Sequence, residues 1–137
     1  MRIVLDTNVL VSGIFFSGPP FQVLKAWKEG HIRFAISPEI LAEYHRVSEV
    51  LGSKFGNLEV ERILTLIALN SDLVEASNLS EPVCEDQDDD KFIACALAAD
   101  ARIIVTGDKQ LLKVSGYQGI TILPPSVFVD KYHKEPR

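Results

Sequence analysis

Four carboxylates sit where the surrounding pattern asks for apolar side chains, and their type points to divalent-metal chemistry. Asp6 closes the short apolar run Ile3-Val4-Leu5, and Asp108 follows Val105 across Thr106-Gly107. Glu43 falls on the stripe formed by Ile40, Tyr44, Val47, Val50 and Leu51, a helical face that should be wholly apolar. Asp90 shares a helical face with Ile93, Ala94 and Leu97. A structural alternative for Glu43 is pairing with a nearby Lys or Arg, since an unpaired buried carboxylate is very costly. Four carboxylates that converge are different: two unit charges 4 Å apart repel by about 4 kcal/mol at an effective dielectric of 20. They require protons or cations. All-oxygen ligation without Cys or His selects a hard ion, Mg²⁺ or Mn²⁺. Such a site can activate water and stabilise a phosphoryl transition state, so the expected reaction is phosphodiester hydrolysis.

Neighbouring residues fit supporting roles. Thr7, Asn8, Thr106 and Gly107 flank Asp6 and Asp108, and hydroxyls and an amide can hold carboxylates in register. Asp86, Asp88 and Asp89 precede the helix that Asp90 opens, so at least one of them is a helix cap. There are more acids here than capping needs. Asp90 is the first choice for function, with Asp89 or Asp86 as an outer-shell or alternative ligand.

These residues require a scaffold of strands alternating with helices, the signature of a parallel sheet covered on both faces. Strands are expected near Ile3–Leu5, Arg33–Ile36, Leu73–Glu75, Arg102–Val105 and Ile120–Leu123. A helical turn follows the first strand, and an amphipathic helix spans Phe21 to Lys28. Ser37-Pro38-Glu39 starts a helix running to about Leu51. A turn over 52–57 leads to a helix from Leu58 to Ala68. Asp90 to Ala99 forms an Ala-rich buried helix, and Pro124-Pro125-Ser126 starts a last short one. Right-handed crossovers favour a three-layer α/β/α, Rossmann-like arrangement with strand one central and strand four beside it, where the winding reverses. Ligands bind at that reversal, at the carboxyl ends of the strands. Asp6 and Asp108 belong there.

The chain has 137 residues, 47% hydrophobic and 24% charged, which fits one soluble globular domain over 1–137. No apolar run is long enough for a membrane span, and Met1 leads straight into the first strand with no signal sequence, so the cytoplasm is the expected compartment. Cys84 and Cys95 lack a Cys-x-x-Cys spacing and read as free thiols; His31, His45 and His133 form no zinc motif. The formal charge is −5, with six of the 19 acids between Glu81 and Asp90, so coating of nucleic acid by bulk charge is excluded. Lys91, Lys109, Arg46, Lys131, Lys134 and Arg137 could track a phosphate backbone, although a solvated surface explains each alone. Phe15 to Phe21 either presents aromatics to a partner or anchors the first helices in the core; the core reading is favoured.

Taken in order, Val4-Leu5-Asp6-Thr7-Asn8-Val9, Pro38-Glu39-Ile40-Leu41-Ala42-Glu43-Tyr44, Asp88-Asp89-Asp90-Lys91-Phe92-Ile93-Ala94 and Val105-Thr106-Gly107-Asp108-Lys109 resemble the PIN-domain nucleases, in particular the VapC-type toxins of prokaryotic toxin-antitoxin pairs. The resemblance covers essentially the whole chain. It implies that Asp6, Glu43, Asp90 and Asp108 are a quartet binding Mg²⁺ or Mn²⁺ in a ribonuclease, with Thr7, Asn8 and Thr106 in support. It also implies RNA as substrate, a homodimer, and inhibition by a small antitoxin.

Two rivals place an Asp after the first strand of a similar sheet, and a third belongs to another class. An aspartyl-phosphate phosphatase needs Asp-x-Asp, and Asn8 stands at the third position. A receiver domain needs an Asp ending strand three, which is absent. A non-catalytic module would use the acids to grip a partner's Arg residues or a structural ion. A stand-alone RNA-processing nuclease shares the chemistry and differs only in biological role.

Overall fold

The computed structural model describes residues 1–55 and 57–132. It contains β1 (Arg2–Leu5), α1 (Thr7–Phe15), α2 (Pro19–Lys28), β2 (Arg33–Ile36), α3 (Pro38–Phe55), α4 (Asn57–Leu69), β3 (Asp72–Leu73), α5 (Asp90–Ala99), β4 (Ile103–Val105), α6 (Lys109–Leu112), β5 (Thr121–Leu123) and α7 (Pro125–Tyr132). The sheet is parallel, in the order β3-β2-β1-β4-β5. β1 is central, and the winding reverses between it and β4, as the alternation of elements predicts.

The central strands are short and apolar because both faces are covered. Ile3, Val4 and Leu5 are fully buried, as are Ile104 and Val105. α5 lies against β1, β2 and β4, burying Phe92, Ile93, Cys95, Ala96 and Ala99. α1 and α2 pack closely on each other. Gly13 allows this, since a Cβ there would stand 2.7 Å from both the Leu24 side chain and the Pro20 carbonyl. No single helix among the described residues is long and apolar enough to cross a membrane; α1 and α2 together have the composition, but they meet at 90°.

Several expectations need correction. α3 continues past Leu51 to Phe55, consuming most of the expected turn. Its buried line is Ile40, Tyr44, Ser48 and Gly52, whereas Val50 is 61% exposed. Spacing by four follows the contact with neighbouring helices better than the apolar count does. β3 begins at Asp72, one residue early, where the Asp72 carboxylate is held by Arg33 and Arg2 at 2.6 and 2.8 Å. α6 was not anticipated; it is a single turn whose first amides Asp108 caps. Of the aromatic loop, Phe15 is half-buried against the core, but Phe16 and Phe21 are 60% and 43% exposed, so the core reading fails for those two. Gly56, His133, Lys134 and Arg137 lie outside the described residues.

Candidate active site

The carboxyl ends of β1 and β4 are joined through one hydroxyl. Asp6 begins α1, and its amide donates to the Val105 carbonyl at 2.9 Å, extending the β1–β4 ladder by one bond. Its carboxylate is buried. Thr106 Oγ1 donates to Asp6 Oδ2 at 2.6 Å and accepts from the Asp108 amide at 3.0 Å, so the fully buried Thr106 sets the spacing of the two acids. Asp108 also caps α6, Oδ1 accepting from the Gln110 amide at 2.9 Å.

α3 brings the third acid. Ser37 caps its start, Oγ accepting from the Ile40 amide at 3.3 Å, and Tyr44 fixes its angle because the buried phenol donates to the Leu5 carbonyl. That bond ties α3 to the residue before Asp6. Burial, followed by the charge of Asp6, holds the Tyr44 phenol well above its ordinary pKa, so it stays a donor. Next to Tyr44 on α3, the partly buried Glu43 accepts from Thr7 through Oε2 and from Lys91 Nζ through Oε1, the latter at 2.5 Å. Arg46 stands 3.7 Å from the same oxygen. The structural pairing considered for Glu43 is therefore present, and Lys91 is its main partner.

Asp89 and Asp90 have opposite surroundings. Both oxygens of Asp90 accept backbone amides, Oδ1 from Cys84 at 2.7 Å and Oδ2 from Val83 at 3.2 Å. Asp90 thus clasps the loop before α5. At Asp89, burial, then the charges of Asp108 and Asp6, push the carboxyl up to about 6. Asp6 is raised as well, mainly by burial and partly by Glu43 and Asp108, against the lowering effect of its bond from Thr106. α5 buries Phe92, Ile93, Ala94, Cys95 and Ala96 and leaves Leu97 exposed. The core face therefore keeps 93 and 94 of the expected line and departs from it at 97. Asp86 is the expected cap, accepting from the Asp88 amide at 3.0 Å.

The cations are distributed unevenly. Lys91 is only 13% exposed and holds Asp88 at 3.0 Å as well as Glu43. Burial alone would lower its ammonium, but Glu43 and Asp88 hold it above the ordinary lysine value. Arg46, Lys109 and Lys131 are exposed, and so is Asn8. His45 is exposed too, whereas Cys84 and Cys95 are buried free thiols. Burial pushes both up to about 12, helped at Cys84 by Asp90.

The match to known proteins agrees with this geometry. A family model described as a PIN domain matches residues 2–110, the span holding every acid named above. The chain belongs to the PIN domain family. It is also 32% identical to an uncharacterized protein of Methanocaldococcus jannaschii over 98% of this chain and 93% of that one. PIN domains are generally nucleases and generally use divalent metal ions. Oxygen donors at the reversal of winding suit a hard ion. Among the described residues no three His, Cys, Asp or Glu side chains are grouped tightly enough to hold an ion together. Mg²⁺ takes one or two carboxylates and keeps several waters, so the buried Asp6 with Asp108, linked through Thr106, fits it without such a group.

Proposed function

We propose that this PIN domain is a Mg²⁺- or Mn²⁺-dependent endoribonuclease in which Asp6, Glu43, Asp89 and Asp108 form the acidic set. The observation that carries the reading is the meeting of Asp6 and Asp108 at the carboxyl ends of β1 and β4, linked through the buried Thr106, in a chain of the PIN domain family. The raised carboxyls of Asp6 and Asp89 point the same way, since a cation relieves the repulsion among neighbouring acids. Asp6 and Asp108, which Thr106 links, would hold the ion, with waters completing its shell; when bound, it would supply a water of lowered pKa and neutralise charge on a phosphate. Thr106 keeps Asp6 and Asp108 in register, and Thr7 and Lys91 orient Glu43. Asp90 has a positioning role, since its hold on residues 83 and 84 fixes the start of α5.

RNA as substrate, action as a dimer in the cytoplasm and control by a small antitoxin follow from the VapC resemblance. They belong to this proposal. The test is cleavage of a labelled mixed RNA pool by wild type and Asp6→Asn with Mn²⁺, Mg²⁺ or EDTA. Cutting by wild type alone, and only with metal, is expected. Retained RNA binding with no cutting by either protein would favour the binding module.

A further inference from the structure

Where α3 meets the start of α5, a cavity of about 360 Å³ opens beside the acids. Glu39 and Arg46 line it from α3, Asn78 and Leu79 from the chain after β3, and Gln87 and Ala94 from around the start of α5. Lys91 is the shared wall: its side chain lines the cavity while its ammonium bonds Glu43. Whatever fills the cavity therefore lies one side chain away from the acidic set.

The lining has two parts. Leu79 and Ala94 offer apolar surface, and Glu39, Arg46, Asn78 and Gln87 are exposed polar groups; Asp88 and Asp90 also line it, but Asp88 is paired with Lys91 and Asp90 with backbone amides, which leaves Glu39 as the carboxylate open to a ligand. The volume is at the small end of ligand pockets, which run from about 300 to 1,000 Å³. An unpaired RNA base has matching chemistry: an apolar face that can lie against Leu79 and Ala94, and an edge read by hydrogen bonds to side chains. Resting on the ribonuclease reading, we propose that this cavity binds one unpaired base of the RNA strand next to the phosphate that is cut, with Glu39 and Asn78 selecting that base. An ionised Glu only accepts hydrogen bonds. Guanine alone presents two adjacent donors, N1–H and N2–H, on its Watson–Crick edge, and the Arg46 guanidinium can donate to its O6. Guanine is the base expected.

Two measurements separate this inference from the reading beneath it. Sequencing the cut ends of a random RNA pool should show guanine enriched at one fixed position, and Glu39→Gln and Asn78→Ala should reduce that enrichment severalfold. Identical end profiles in wild type and both variants would overturn the subsite while leaving the ribonuclease intact. Titration with guanosine or cytidine monophosphate in EDTA, followed by backbone amide shifts, reads the cavity without any cleavage. Shifts over residues 77–79 and 87–91 that are larger with the guanosine nucleotide, and diminished in Glu39→Gln, are expected. No shift there with either nucleotide would count against the subsite even if the pool is cut. If the shifts appear but wild type cuts no RNA, the ribonuclease reading fails and so does a subsite for the cut strand.

Discussion

The two ends of the sheet treat acids in opposite ways. At the amino end, Asp72 is held by Arg33 and Arg2, and these bonds, Arg33's first, lower its carboxyl below the ordinary value. Arg2 also donates to the Ala99 carbonyl at 2.6 Å, closing the end of α5. At the carboxyl end, Asp6 and Asp89 are raised by burial and by neighbouring acids. Lys91, half-buried there, is committed to Glu43 and Asp88. Charge is balanced where the sheet needs only to hold together and left unbalanced where a ligand is expected. That is the trade of stability for function expected of a reactive site.

The largest effect expected is on catalysis at the unbalanced end. Asp6→Asn should lower RNA cleavage by about a thousandfold or more, in line with losing a transition-state electrostatic contact of roughly 4 kcal/mol. The same change should raise Tm, because a neutral amide still accepts from Thr106 without the desolvated charge. Thermal melts beside the cleavage assay check both signs; a fall in Tm would break the contrast between the two ends.

Tyr44→Phe comes next. It removes the phenol that bonds the Leu5 carbonyl, and leaving a buried acceptor without its partner costs about 1–3 kcal/mol, readable in a denaturant titration. Asp72→Asn should lower Tm by less than that, because exposed ion pairs contribute little, and it should leave cleavage unchanged.

The pH dependence sharpens the same contrast. An Asp whose folded pKa is raised keeps its proton while the unfolded chain, titrating near 4, has lost it. For Asp89, raised to about 6, stability of the metal-free protein should therefore fall as pH rises from about 4 to 6 and stay lower above. Asp6 acts in the same direction. Mn²⁺ affinity, read by calorimetry, should rise across that window as metal displaces protons. Asp72 works the other way: its contribution is full above the unfolded pKa and is lost as pH falls through its lowered value. The smallest effect concerns the thiols. Cys84 and Cys95, both pushed up to about 12, should react with iodoacetamide at pH 8 only slowly in the folded protein. Asp90→Asn should speed the reaction at Cys84.

Much of this was legible in the sequence because it rests on strong local patterns. β2 and α5 have the expected bounds, the sheet order follows from alternation and handedness, and Ser37 caps α3 as its type suggests. Asp6 and Asp108 meet at the sheet edge through Thr106, as the topology requires. The different surroundings of Asp89 and Asp90 were not legible. They depend on how α5 sits on the sheet and on which backbone amides lie near, and a pattern of apolar residues does not fix either. Val50 misleads for the same reason: it continues the apolar count but faces solvent, while Ser48 is buried in its place. The pairing of Glu43 with Lys91 joins positions 48 residues apart, so no local window contains it.

The most direct test sets Asp89→Asn beside Asp90→Asn in metal-dependent RNA cleavage, with melting curves for both. The account predicts that Asp89→Asn abolishes cutting with Tm unchanged or raised, because it removes a repelled charge. It predicts that Asp90→Asn keeps measurable cutting but loses about 1 kcal/mol of stability as the amides of residues 83 and 84 lose a charged acceptor. Full activity in a folded Asp89→Asn protein, with activity abolished in a folded Asp90→Asn, would contradict it.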